Sequence, residues 1–146
     1  MFYNQFLERQ SGKDKKRNAK FLFFDEYASY LNYLPKKEAE EEKRKMSMLL
    51  MMGRSFNSHV IISQQRGDAQ YFSTARDNLN VVIGLSNLSE ESRDMFFSSF
   101  KKQIKADRKR GTGYMITNGT DLQKIYVPKV QNEDMLHNAI KQGVSR

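Results

Sequence analysis

An α/β fold, a mostly parallel sheet flanked by helices with an antiparallel C-terminal hairpin, follows from three features of the sequence. The first is Phe21-Leu22-Phe23-Phe24-Asp25-Glu26, four apolar residues ending in two acids. A short apolar run of this kind predicts a strand buried on both faces, as in a parallel sheet covered by helices. The second is a long helical stretch leading into another apolar run, Val60-Ile61-Ile62. The third is a pair of short segments around Asn118-Gly119, a hairpin signal. Strand–helix–strand alternation followed by a hairpin puts parallel strands first and antiparallel ones at the margin.

Each element has a local reason. Phe2, Phe6 and Leu7 stand at helical spacing in residues 1–10, and the polar, basic stretch 11–20 reads as a loop. The first strand occupies about 20–25. Residues 28–34 form a helical turn stopped by Pro35. Residues 36–52 form a long helix whose front half is charged, with Glu40–Arg44 and Glu41–Lys45 four apart and the acid first. Its back half is apolar, and Gly53 supplies a C-terminal stop. Strands follow at 59–63 and 81–86. Ser89-Glu90-Glu91 opens a helix through Phe100, with a serine N-cap and acids in the first turn. The hairpin pairs 114–117 with 122–127, and a last helix covers 132–142.

The composition narrows the function. A chain of 146 residues supports one domain and one core. The longest apolar run, Met48 to Met52, has five residues, far short of the roughly 20 that cross a bilayer. There are no cysteines, which excludes disulfides and thiolate metal sites, and the two histidines share no metal-ligand spacing. A cytoplasmic setting is expected. The net charge of +8 favours nucleic acid or an anionic surface, recognised by field rather than by base readout. Much of that charge sits in two clusters, Lys13, Lys15, Lys16, Arg17 and Lys20, then Lys101, Lys102, Lys105, Arg108, Lys109 and Arg110. Each cluster reads equally as solvated surface or as a DNA-tracking loop.

The candidate chemistry starts at Asp25 and Glu26. Open α/β sheets bind ligands at the carboxyl ends of their strands, where this pair would project. In nucleoside triphosphatases such a pair is the Walker B element: the Asp holds Mg²⁺, and the Glu orients and deprotonates the attacking water. The alternative is a strand whose acids merely cap the next helix. Three further elements stand at useful distances. Gly53-Arg54 ends the long helix, where the guanidinium would either reach a neighbouring subunit's γ-phosphate or simply face the helix dipole. Ser63-Gln64-Gln65-Arg66 follows a strand, and a glutamine there can sense phosphate or position water. Ser92-Arg93 precedes Gly111-Thr112-Gly113-Tyr114-Met115, whose glycines permit close backbone approach.

In this order the elements resemble the motor domain of the FtsK/SpoIIIE translocases and the related HerA and conjugative coupling ATPases. The resemblance rests on Asp25-Glu26-Tyr27-Ala28, Gly53-Arg54, Gln65-Arg66, Ser92-Arg93 and Gly111-Thr112-Gly113-Tyr114-Met115, and spans about residues 20–130. It implies a partial RecA-like P-loop NTPase fold. On that basis residues 1–19 form a linker and helix, 20–130 the motor core, and 131–146 a C-terminal helix. The resemblance gives Asp25 the Mg²⁺ role, Glu26 the role of catalytic base, Gln65 that of γ-phosphate sensor and Arg54 that of a finger inserted into the adjacent subunit. Arg93 would be a second trans-acting or coupling arginine that contacts nucleotide, or else a surface charge on its helix, and Lys101, Lys105, Arg108, Lys109 and Arg110 would contact DNA.

The implied cofactors are ATP and Mg²⁺. The implied partners are double-stranded DNA and further copies in a homo-oligomeric, hexameric ring, with a membrane anchor possible upstream. Tyr27 stands where Leu is usual, Gly67 where Pro commonly follows Q-R, and Tyr114 where Asp precedes the Met, departures that point to a mobile-element branch. No G-x-x-x-x-G-K-[ST] occurs. The chain is therefore expected to be the C-terminal part of a motor and inactive alone. Two other readings stand beside this one: a basic nucleic-acid-binding or adaptor module with a degenerate ATPase fold, and an assembly ATPase of a secretion or phage system.

Overall fold

The computed structural model describes residues 1–16, 18–65, 67, 69–105 and 108–145. Helix α1 (Phe2–Gln10) leads to strand β1 (Lys20–Phe24), then α2 (Tyr27–Tyr33) and α3 (Lys36–Met52). A 3-10 turn over Gly53–Phe56 enters β2 (Ser58–Ile62). Two further 3-10 segments, Ala69–Tyr71 and Ser73–Asn78, precede β3 (Val81–Leu85) and α4 (Glu90–Phe96). Strands β4 (Thr112–Thr117) and β5 (Asp121–Tyr126) and helix α5 (Glu133–Val144) complete the chain.

The α/β class and the antiparallel C-terminal hairpin hold. β1 and β2 pair in parallel, with Lys20 opposite Ser58 and Phe24 opposite Ile62. β3, β4 and β5 form a separate antiparallel sheet in that order, so the antiparallel part takes in β3 as well as the hairpin. The hairpin loop is Asn118-Gly119-Thr120: Asn118 at φ 52° and Gly119 at φ 73° are the left-handed central pair of a turn that the Thr120 N–H closes onto the Thr117 carbonyl at 3.2 Å.

Burial of β1 on both faces does not hold. Its residues alternate, with Phe21 54% and Phe23 73% exposed while Leu22 and Phe24 turn inward. Among the described residues this sheet has two strands and helices on one side only. The outer faces of β2 and β3 are likewise open at Ile61, Val81, Ile83 and Leu85. The chain exposes 11021 Å² in all, against about 7,800 Å² expected of a compact monomer of its mass.

The core has two parts. Tyr27, Leu31, Ala39, Met46 and Phe72 gather under the inner face of β1–β2, with Phe24, Val60 and Ile62 against them. Phe97, Ile104, Tyr114 and Ile116 gather under the antiparallel sheet, and Phe96 packs against both groups. α3 buries Ala39, Met46 and Leu49. On its charged half Glu40 pairs with Lys43 at 2.8 Å rather than with Arg44, and Lys45 reaches both Glu41 and Glu42. Gly53 does not terminate α3 in a left-handed conformation: it is right-handed at φ −55°, the chain continues as a 3-10 turn, and Asn57 takes the left-handed place at φ 50°. Glycine is still required, because a Cβ there would run into the Ser58 carbonyl oxygen. α4 ends at Phe96, short of Phe100, where Phe97 at φ −129° breaks the helix.

One buried charge ties the start of the chain to both parallel strands. Arg9 donates from Nη1 to the Phe56 and Asn57 carbonyls at 3.0 Å each, and from Nη2 to Asn18 Oδ1 at 3.1 Å. Its Nε meets Asp14 Oδ2 at 3.2 Å. A charge this deep is tolerated only because its donors are used.

Candidate active site

The site is built where β1 and β2 end. Because the two strands are parallel and in register, the residues after Phe24 and Ile62 leave the sheet side by side. The Ser63 N–H donates to the Phe24 carbonyl at 3.0 Å, extending the ladder past the last strand residue. The Ser63 hydroxyl then donates to Asp25 Oδ1. Asp25 is exposed on this rim, held in place by its neighbour strand.

Glu26 turns the chain. It sits at φ 53°, ψ 45°, in the left-handed region that side-chain-bearing residues seldom occupy, and it is the N-cap residue of α2. Its carbonyl accepts from Tyr30 N at 3.1 Å, and its Oε2 accepts weakly from the Ser29 hydroxyl at 3.4 Å. Strain of this kind at a strand–helix corner persists only where the surroundings fix it, and it recurs at working sites. Neither Asp25 nor Glu26 forms a salt bridge among the described residues.

Below the rim, Tyr27 anchors α2. Its ring is 1% exposed and meets Phe24 and Phe72 edge-on and tilted. Its hydroxyl is buried with no hydrogen-bond partner among the described residues. Burial, with the Glu42 charge second, pushes this phenol well above its usual range.

Gln65 follows Ser63 by two and is exposed. Gln64 points the other way, and its Oε1 is buried without a partner. Arg66, the second half of the Q-R pair, lies outside the described residues, as does Arg17 of the first basic cluster. The segment is clamped from the side by α4: Gly67 N donates to Ser92 Oγ at 3.2 Å, and Ser92 N in turn donates to the Ser89 N-cap hydroxyl. A Cβ on Gly67 would collide with the Phe96 ring, so this position favours glycine. Arg93 is half-buried on α4, and its Nε is buried without a partner among the described residues.

Arg54 is not brought to the carboxylates. It is exposed in the 3-10 turn before β2, at the amino end of the parallel strands. Five strand residues separate the two rims, about 16 Å. Arg54 and Asp25 of one chain therefore cannot share a phosphate. An open recess of about 350 Å³ bordered by Arg9, Gly12, Asp14 and Lys16 also lies at this amino end, away from the acids.

The basic segment divides. Lys101 is committed within the chain, to Asp94 and, at 3.5 Å, to Glu90, and Asp94 holds its ammonium above the usual range. Arg108 lies over the Tyr114 ring, 4.9 Å from its centre. Lys105, Lys109 and Arg110 are exposed.

The donor set suits a magnesium nucleotide in one respect. Among the described residues no cluster of three metal-ligating side chains exists. A cation here would be held by Asp25 with phosphate and water oxygens, which is how Mg²⁺ commonly binds at phosphate-transfer sites. Ser63 is the participant that sequence reasoning left without a role. The signal was available: aligning the runs 21–24 and 59–62 in parallel sets Asp25 opposite Ser63.

No family model matches the chain. Over 125 residues, 85% of the chain, it is 28% identical to the Ftsk domain-containing protein YdcQ of Bacillus subtilis strain 168. The chain is thus similar to an FtsK domain-containing protein. It spans 26% of the length of YdcQ. The fold agrees: the cytoplasmic domain of the type VII secretion ATPase EccC of Thermomonospora curvata superposes with a TM-score of 0.62 at 18% identity, over 90% of this chain and 18% of that one. The pCW3 conjugation coupling protein TcpA, in a monomer form with ATPγS, gives 0.64 at 16% identity, over 86% of this chain and 40% of that one. No helix among the described residues is long and apolar enough to cross a membrane.

Proposed function

We propose that this chain is the C-terminal part of an ATP-driven double-stranded DNA translocase of the FtsK/SpoIIIE type, serving conjugative or mobile-element transfer. Residues 20–130 would form the motor core and supply the metal-and-water end of the nucleotide site. The observation that carries this reading is the rim: Asp25 fixed by Ser63 and Glu26 held left-handed beside it, at the carboxyl ends of paired parallel strands. Asp25 would hold Mg²⁺, which supplies charge neutralisation at the phosphates when bound. Glu26 would accept the proton of the attacking water, and Gln65 and Arg93 would contact the γ-phosphate.

The separation of Arg54 from Asp25 supports a ring, hexameric by family likeness, in which each Arg54 serves the neighbouring subunit's site. The phosphate cradle and its lysine would come from outside these residues. DNA would meet the exposed cations of the 101–110 segment, with Lys105, Lys109 and Arg110 the most available.

The test is DNA-stimulated ATP hydrolysis by the full-length parent protein. Hydrolysis should require both the Glu26 carboxylate and duplex DNA. Likeness to EccC favours a second reading, a secretion-type assembly ATPase, which would hydrolyse ATP with no response to duplex. A basic adaptor module would bind DNA with no dependence on Glu26.

A further inference from the structure

We propose that the β4–β5 hairpin and the basic loop before it form a single pre-organised nucleic-acid phosphate-binding face, to which Lys124 and Tyr126 belong. This inference rests on the DNA-motor reading and extends its contact surface beyond the linear basic run.

The charge is concentrated here. Residues 101–130 carry eight basic and two acidic side chains, most of the chain's net +8. The fold then ties Lys105, Arg108 and Lys124 to one residue, Tyr114. In the register of the hairpin Tyr114 lies opposite Lys124, and Thr112 opposite Tyr126. Side chains directly opposite one another, and those two apart on a strand, share a face. That face is apolar core at Ile116 and Leu122, and one step further along β5 it becomes Lys124 and Tyr126, both exposed, the tyrosine by 73%.

The loop is mounted on this same face. Lys105 N donates to the Tyr114 hydroxyl at 3.1 Å, and the Arg108 guanidinium covers the Tyr114 ring. At its far end the Lys109 carbonyl accepts from both the Thr112 N–H and hydroxyl, at 3.1 and 2.7 Å. Two atoms of Arg108, Nε and Nη2, are buried with no hydrogen-bond partner among the described residues. Tyr114, a departure from the family pattern, thus acts as a post that holds the Lys105 backbone and the Arg108 guanidinium, with Lys124 its cross-strand partner.

Of the two acids in this stretch, Asp107 belongs to the loop and lies outside the described residues. Asp121 stands at the turn end of β5, opposite Thr117. Glu90 and Asp94 are taken by Lys101. A loop whose backbone is held at both ends loses less freedom on meeting a polyanion than lysines on a mobile tail. An exposed aromatic among these cations adds a surface on which a sugar or base can rest.

The experiment is fluorescence anisotropy of a labelled 30-base-pair duplex with the 146-residue chain over a series of sodium chloride concentrations. Lys124→Ala should weaken binding several-fold at 100 mM salt and reduce the slope of log K against log salt by about 0.9, one phosphate contact. Lys124→Arg should restore both, and Lys141→Ala, on α5, should change neither. Equal losses for Lys124→Ala and Lys141→Ala, or full binding by Lys124→Ala, would overturn the proposal while leaving DNA as the partner. Absence of duplex binding, with tight binding instead to vesicles containing anionic phosphatidylglycerol, would remove the DNA reading as well.

Discussion

Ser63 and Asp25 meet across the ends of two parallel strands, hydroxyl to carboxylate, one residue beyond the ladder that brings them together. A carboxylate with one oxygen already fixed presents the other in a defined direction. The bond turns a position on an exposed turn into one set by the sheet. Ser63→Ala in the full-length parent should therefore lower hydrolysis about tenfold, the equivalent of one hydrogen bond to a charged group. Nucleotide affinity at fixed magnesium, measured beside the rate, should weaken with it.

Glu26→Gln keeps the shape of the corner and removes the base. Hydrolysis by the parent protein should drop by about 10² to 10⁴, while ATP binding stays within a few-fold of wild type. A drop of less than fivefold would mean that some other group takes the proton.

Arg54 lies on the opposite rim from Asp25, and a ring in which it serves the next subunit makes a distinctive prediction. Arg54→Ala and Glu26→Gln should each be inactive as pure assemblies. Mixed, they should recover part of the wild-type rate, because some interfaces then pair an intact Glu26 with an intact Arg54. No recovery on mixing, with co-assembly verified, would place both residues in one subunit's site.

Tyr27 buries a hydroxyl that has no hydrogen-bond partner among the described residues. Tyr27→Phe should raise the chain's unfolding free energy by about 1 kcal/mol, read from the denaturant midpoint at unchanged slope. The sign with pH also follows. The folded phenol titrates above its unfolded value of 10.0, so the unfolded chain ionises first and stability falls as pH rises past 10. The phenylalanine variant should lack that component of the alkaline decline.

Arg9 and Asp14 govern the opposite end of the pH range. The Lys16 backbone N–H and the Arg9 guanidinium hold the Asp14 carboxyl below its usual 3.8. Its stabilising share is complete above that value and is lost as pH falls through the lower folded one. Asp14→Asn should flatten the acid limb of the stability curve. Arg9→Ala, which strands two carbonyls and a carboxylate, should destabilise by about 3 kcal/mol or more.

The elements were legible wherever spacing is local. Lys36–Met52, the serine cap of α4 and the Asn118-Gly119 turn each carry their cause within a few residues. The rim was half legible: the two acids announce themselves, but Ser63 becomes visible only when two strands are set in register. Arg9 went unread because a charged residue is assumed to face water, although it shares a helical face with Phe2 and Phe6. Phe72 and Ala75 anchor a stretch of 3-10 turns that has neither a period of two nor one of 3.6, so sequence offers no handle on it. The open side of β1 escaped for a different reason. Four apolar residues in a row say that both sides want cover, and the sequence is silent on whether this chain provides it.

Phe21, Phe23 and Ile61 on one sheet and Val81, Ile83 and Leu85 on the other leave the isolated polypeptide with adhesive sides that only its surplus of positive charge keeps apart. Raising the salt concentration to weaken its grip on DNA will also remove that mutual repulsion. Preparations of these residues alone will therefore cloud and bind hydrophobic dyes under the conditions where they release nucleic acid.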